Sequence, residues 1–198
     1  GSYIYRGKKF DIYEGGHRVP FIARWDGTVQ AGSVSDEPVC LVDLFATCAA
    51  IVDAPVAETA AEDSVSLLPL LLGSANARAR ATVVHHSIRG SFAIRQGKWK
   101  LAFCPGSGGW SHPKPAGRKK QKGKRAVDAQ QPAPHQSVQL FDLEADPSEL
   151  NNLSGQYPEI VKQLSQLAEQ QIADGRSTPG TKQPNNGKPI KLYPAWGQ

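Results

Sequence analysis

The residues best placed to do chemistry lie near the start of the chain, in Arg6-Gly7-Lys8-Lys9-Phe10-Asp11-Ile12-Tyr13-Glu14-Gly15-Gly16-His17-Arg18-Val19-Pro20. A lysine on a short polar segment, followed by Glu-Gly-Gly and an apolar run, puts a cation at the end of a strand. Strand ends are where open α/β sheets build their sites. The glycines allow the backbone to approach a ligand closely or to turn sharply. Asp11 and Glu14 are two acids three positions apart. Calcium asks for six or more oxygens, and acids at this spacing are usually solvated. Further candidates are His85-His86-Ser87 and the stretch Ser107-Gly108-Gly109-Trp110-Ser111-His112. Trp110 offers an aromatic face, and His85 or His112 a hydrogen-bonding ring nitrogen. His86 is the neighbouring candidate, and consecutive strand residues point to opposite faces, so one histidine packs and the other stays wet. His17 reads as structural.

The elements that position these residues follow from periodicity and turn chemistry. Val19-Pro20-Phe21-Ile22-Ala23-Arg24-Trp25 predicts a short buried strand closed by Asp26-Gly27. Leu41, Leu44, Phe45, Cys48, Ala49 and Val52 recur at helical spacing before Pro55, which predicts a helix that buries this face against a sheet. Strands are expected at 83–86, 91–95, 98–103 and 138–143, broken by Arg89-Gly90 and Gln96-Gly97. A closing amphipathic helix starts at Pro158 and stops at Gly175, with Ile160, Val161, Leu164, Leu167, Ala168 and Ile172 as its apolar stripe. The order strand, helix, antiparallel strands, helix leaves the first strand without a partner of its own. Its backbone groups need a larger sheet supplied by other sequence.

With 198 residues, 39% of them hydrophobic and 21% charged, the composition is that of a folded domain. The longest apolar run, Leu67–Leu72, is far short of the roughly 20 residues that cross a bilayer. The N-terminus carries no signal-peptide pattern and the chain contains no methionine, which reads as a fragment or a processed product. The net charge of +5 is local. Seven cations and no acid lie between Lys114 and Arg125, leaving 16 of the 23 basic residues against 18 acids elsewhere. That run lacks the interleaved aromatics of a nucleic-acid platform, so no nucleic-acid partner is expected. Cys40, Cys48 and Cys104 form neither a disulfide framework nor a zinc pattern, and Cys40 and Cys48 are expected to pack as small hydrophobes.

The first segment resembles a signature of the sulfatase family: a lysine five residues before Glu-Gly-Gly-x-Arg and a Pro. Lys9 stands at that spacing to Glu14, and Arg18 and Pro20 match the remaining positions. Gly90-Ser91-Phe92-Ala93-Ile94-Arg95-Gln96-Gly97-Lys98-Trp99-Lys100 is similar to the family's Gly-x-x-x-x-Arg-x-Gly-x-x-Lys hairpin. The stretch from Leu140-Phe141-Asp142-Leu143 through Asp146-Pro147-Ser148-Glu149 to Asn152-Leu153 is similar to the strand and turn before its last helix. The resemblance implies a fragment of an alkaline-phosphatase-like α/β hydrolase. Residues 1–60 would close the main α/β domain and 61–81 would form a linker. Residues 82–175 would form a C-terminal α+β subdomain, a small antiparallel sheet with one packed helix, interrupted by a flexible basic insertion at 105–137. Residues 176–198 would be a tail.

The resemblance further implies that Lys9 grips a sulfate oxygen and that the subdomain edges the substrate pocket near His85, His86, Trp110 and His112. The family's nucleophile, a formylglycine made from Cys/Ser-x-Pro-x-Arg, has no matching motif in these residues, nor do its calcium-holding Asp and Asn residues. No metal ligand is therefore assigned within the chain. The implied substrate is a sulfated small molecule or glycan, the implied partner is the remainder of the sulfatase chain, and the implied compartment is the periplasm or the exterior. Two rival readings stand beside this one: a phosphate or phosphonate monoesterase of the same superfamily, and a non-catalytic polyanion-binding protein using the basic run.

Overall fold

The computed structural model of the protein describes residues 4–74, 77, 80–111 and 137–193. His112 and the basic run at 114–125 lie outside them. Four short strands, β1 (Thr82–His86), β2 (Phe92–Gln96), β3 (Trp99–Ala102) and β4 (Gln139–Asp142), form an antiparallel sheet in the order β1-β2-β3-β4. The expected strands are thus present and pair with their sequence neighbours. Register follows from hairpin chemistry, with Gln96 opposite Trp99 across a turn in which Gly97 takes φ +56°.

Alternation along the strands gives the sheet two unlike faces. Ile94, Leu101 and Leu140 point one way and meet Leu164 and Ala168 of the closing helix, here α4 (Pro158–Asp174). Pro158 opens that helix, and Gly175 ends it in the left-handed region at φ +63°. A Cβ at Gly175 would lie 2.2 Å from the Gln183 carbonyl, so only glycine lets the chain fold back there. The returning segment places Leu192 in the same core and Tyr193 edge-on to Phe103. The segment at 176–193 is thus anchored at its ends, with Thr178 and Ser177 tied to Glu62 and Asp63, while 184–191 lie exposed between. On the opposite face Ala93, Ala102 and Phe141 are covered by Ile12 and Tyr13 of the N-terminal segment.

Three expectations are corrected. Residues 19–25 form no strand, and Ile22 is 91% exposed, because no strand among the described residues pairs with this run. The second helix, α2 (Asp43–Ile51), forms where expected but buries its polar side. Asp43 accepts hydrogen bonds from the Cys40 and Val65 amides, and Thr47 accepts one from Leu67, while Leu44 and Phe45 face outward. Cys48 is accordingly exposed and Cys40 only half-buried, not core hydrophobes. Finally, Pro105–Ser111 begins as a folded loop rather than an exposed insertion, with Gly106, Ser107, Gly108 and Gly109 buried. Gln139 of β4 holds it, donating from Nε2 to the Cys104 and Gly106 carbonyls at 2.8 and 2.9 Å. Two further short helices, α1 (Glu14–His17) and α3 (Leu68–Leu71), complete the described elements.

Leu164 is 1% exposed at the centre of the contact between α4 and the sheet. Leu164→Ala should lower the unfolding free energy by about 2–5 kcal/mol, measured by urea denaturation.

Candidate active site

The segment from Arg6 to Arg18 lies across the small-residue face of the sheet, and its shape depends on backbone crowding. The Gly15 amide donates to the Arg6 carbonyl at 2.7 Å. A Cβ on Gly15 would sit 2.5 Å from that oxygen, and one on Gly16 would sit 2.1 Å from the Asp11 carbonyl. The paired glycines thus serve the segment's own fold, letting α1 press on the turn before it.

Glu14 enters the sheet's buried polar centre. Lys100 of β3, fully buried, places Nζ 3.0 Å from Glu14 Oε1, 2.8 Å from Glu149 Oε1 and 3.3 Å from His17 Nε2. Of these contacts, those to Glu14 and His17 are hydrogen bonds, and that to Glu149 Oε1 is an ion pair. Glu149 Oε2 also accepts the Glu14 amide at 2.6 Å. Burial pushes the Glu14 carboxyl up, but the His17 contact and the Lys100 charge outweigh it and hold it well below the usual range. Glu149, with fewer cationic neighbours, is pushed above its ordinary value by burial, which Lys100 only partly offsets. Burial lowers His17; the Glu14 contact opposes this in part, and the Lys100 charge reinforces it. The His85 ring stacks on His17 at 3.6 Å between centroids, and its Nε2 lies 3.1 Å from the Ile12 carbonyl. Burial holds His85 well below the normal histidine value.

Lys9 stands outside this buried cluster. It is exposed, with Nζ 5.0 Å from the centre of the Phe10 ring. Phe10 in turn packs edge-on against Trp110 at 4.2 Å, and Trp110 is 61% exposed. Lys9, Phe10 and Trp110 therefore make one accessible cation–aromatic rim. His86 points to the other face beside Phe92, so the rim and the two histidines do not form a single cluster. Asp11 and Glu14 are both buried rather than solvated. Asp11 takes the Ser111 amide and hydroxyl, Glu14 takes Lys100, and neither shares a ligand position with the other. Cys104 is buried and its thiol is pushed up to about 11, so it is not a ready nucleophile.

The model of the C-terminal region of aryl-sulfatase matches residues 78–192, more than half of the chain. The chain belongs to the sulfatase family. Across 169 residues it is 36% identical to an N-acetylgalactosamine-6-O-sulfatase of Bacteroides thetaiotaomicron, covering 84% of this chain and 29% of that protein. It is 33% identical to human arylsulfatase A over 174 residues, covering 84% of this chain and 32% of the relative. A solved structure from work on glycosaminoglycan metabolism by Bacteroides thetaiotaomicron superposes with a TM-score of 0.63 at 34% identity, over 84% of this chain and 32% of the other. The chain thus spans about a third of the length of the relatives it matches. The alkaline-phosphatase-like class and the small antiparallel C-terminal subdomain are the architecture of this sulfatase part.

Sequence reasoning missed Lys100, Glu149, Phe10 and Ser111 as members of the site. Lys100 and Glu149 stand at fixed positions of the two C-terminal sulfatase patterns, which was the available signal. Nothing in the sequence marked Ser111 as a partner of Asp11.

Two outcomes follow from the buried cluster. Lys100→Met leaves Glu14 and Glu149 without their shared cation, and should cost about 3–5 kcal/mol of stability in urea unfolding. His17 and His85 are both held below the ordinary histidine value in the fold, so the unfolded chain binds their protons first as pH falls. Their contribution is complete above the ordinary value near 6.5 and is lost as pH falls from there toward the depressed folded values. The urea midpoint should therefore fall as pH is lowered from about 7 to about 5, and His85→Gln should flatten that slope.

Proposed function

We propose that this chain is the C-terminal portion of a sulfuric ester hydrolase and that Lys9 grips a sulfate oxygen of the substrate. The observation that carries the reading is the exposed Lys9 on a rigidly braced turn, five residues before the Glu14 that anchors the segment. As the S–O bond breaks, negative charge moves onto the sulfuryl oxygens. A preorganised ammonium there stabilises the transition state more than the ground state. Trp110 and Phe10 would present an apolar rim to the ring that bears the ester, consistent with sulfated-sugar and aryl-sulfate relatives. His85, being stacked and bonded within the fold, serves better as support for this rim than as a ligand.

Calcium and formylglycine belong to the family's chemistry. Asp11 and Glu14, the acids nearest Lys9, have their oxygens committed to Ser111, Lys8 and Lys100 and do not fit a calcium site. In this proposal the cation and nucleophile come from the remainder of the enzyme, and the 198 residues alone turn over no aryl sulfate. The exposed apolar side chains at 19–25 and on the outer side of α2 would be covered by that remainder.

In the full-length enzyme Lys9→Ala should lower aryl-sulfate turnover by roughly 10²–10³. Lys8→Ala, lacking the spacing to Glu14, should change it little. Lys9→Arg should also be impaired, since a planar fork does not replace a compact ammonium. Aryl phosphate assayed alongside separates a sulfatase from a phosphomonoesterase. Equal losses at Lys8 and Lys9, or phosphate hydrolysis exceeding sulfate hydrolysis, would refute the reading.

A further inference from the structure

We infer that Asp11 and Ser111 are positioning residues for Lys9, forming a clamp that joins the lysine's turn to the loop that presents Trp110. Lys9 and Phe10 occupy the middle of a turn closed by the Asp11 amide donating to the Lys8 carbonyl at 2.9 Å. Phe10 there takes φ +83°, a conformation that a residue with a side chain keeps only when its surroundings hold it.

Those surroundings converge on Asp11. Its carboxylate is 1% exposed and accepts three hydrogen bonds: the Lys8 amide on Oδ2 at 3.0 Å, the Ser111 hydroxyl on Oδ2 at 2.6 Å, and the Ser111 amide on Oδ1 at 3.0 Å. Among the described residues it makes no ion pair. Two of the three donors belong to a residue 100 positions away in the chain. The turn is pinned elsewhere too. The Phe10 carbonyl accepts the Ile88 amide at 3.1 Å, and the Ile12 amide donates to the Ser107 carbonyl at 2.8 Å. Gly109 sits so close that a Cβ there would be 2.3 Å from the Phe10 oxygen.

A long flexible side chain such as lysine loses rate advantage when its backbone anchor shifts by even about 1 Å. The clamp removes that freedom at the two residues preceding and following the Lys9–Phe10 pair. It also makes the distance between the Lys9 turn and Trp110 a fixed property of the fold, since Trp110 immediately precedes Ser111. The charge-holding and ring-holding parts of the rim are therefore set by one carboxylate.

This inference rests on the proposed role of Lys9, and the test separates the two. In the full-length enzyme, kcat and KM for an aryl sulfate are measured for the parent, Lys9→Ala, Ser111→Ala, Ser111→Thr and the Lys9→Ala/Ser111→Ala double variant, each with its melting temperature. Ser111→Ala should lower kcat/KM about tenfold with kcat carrying most of the loss. Ser111→Thr, which keeps the hydroxyl, should recover most of it. In the Lys9→Ala background Ser111→Ala should no longer lower kcat, because that loss acts through the lysine, and should change at most KM through Trp110. An inactive Lys9→Ala beside a silent Ser111→Ala overturns the clamp and leaves the function standing. So does an equal Ser111→Ala loss in both backgrounds, or a loss accompanied by a markedly lower melting temperature. A fully active Lys9→Ala overturns the proposed function, and the clamp with it.

Discussion

One buried ammonium joins three parts of the chain that are distant in sequence. Lys100 lies on β3, Glu14 on α1 and Glu149 in the turn that precedes α4, and all three side chains are withdrawn from water. Burying an ammonium is costly unless each N–H finds an acceptor and each neighbouring carboxylate finds a donor. Here the acceptors are provided by two elements at once, and the Glu14 amide donates to Glu149 as well. A displacement of either element by one hydrogen-bond length would leave a charge unpaired in the interior. The cluster therefore fixes the position of α1 along β3 more sharply than an apolar contact of the same size, since apolar contacts are non-directional.

That constraint explains why the two faces of the sheet are built differently. Toward α4 the strands offer Ile94, Leu101, Phe103 and Leu140, large side chains that fill the gap between a sheet and a helix. Toward the N-terminal segment they offer Ala93 and Ala102, which leave room for extended backbone to lie close against the sheet. Gly15 and Gly16 complete the approach from the other side. The Lys100 side chain reaches the segment on the same face because it shares parity with Ala102, and His85 does so because it pairs with Ala93.

Much of this was legible before the structure. The four strands and α4 follow from period and from turn residues, and the opposite orientation of His85 and His86 follows from strand parity. The exposed lysine of the proposed site, Lys9, was singled out by its spacing to Glu14. Side-chain pairings were not legible, because Lys100–Glu14, Glu14–Glu149 and Asp11–Ser111 span 86, 135 and 100 residues. No local pattern encodes a partner at such distances. The Gly- and Ser-rich stretch 106–109 was misread as exposed because small polar residues serve a tightly buried loop as well as a wet one. The direction faced by α2 was misread for a different reason. Periodicity shows which side of a helix is apolar, but not whether what covers that side is present.

The same distinction divides the molecule. From β1 onward, the apolar stripes find their partners within the chain: α4 covers one face of the sheet, and the segment at 10–17 covers the other. Along α2 the hydrogen bonds of the polar side are made while Leu44 and Phe45 meet solvent, and at 19–25 Phe21 and Ile22 are exposed as well. Lys9 lies where these regimes meet. Its turn is bound to the self-sufficient subdomain through Asp11, Ile12 and Glu14, yet its own side chain points away from that core. A cation so mounted takes its position from the subdomain and offers its charge outward. The C-terminal part of a sulfatase can in this way govern where the lysine of the proposed site stands.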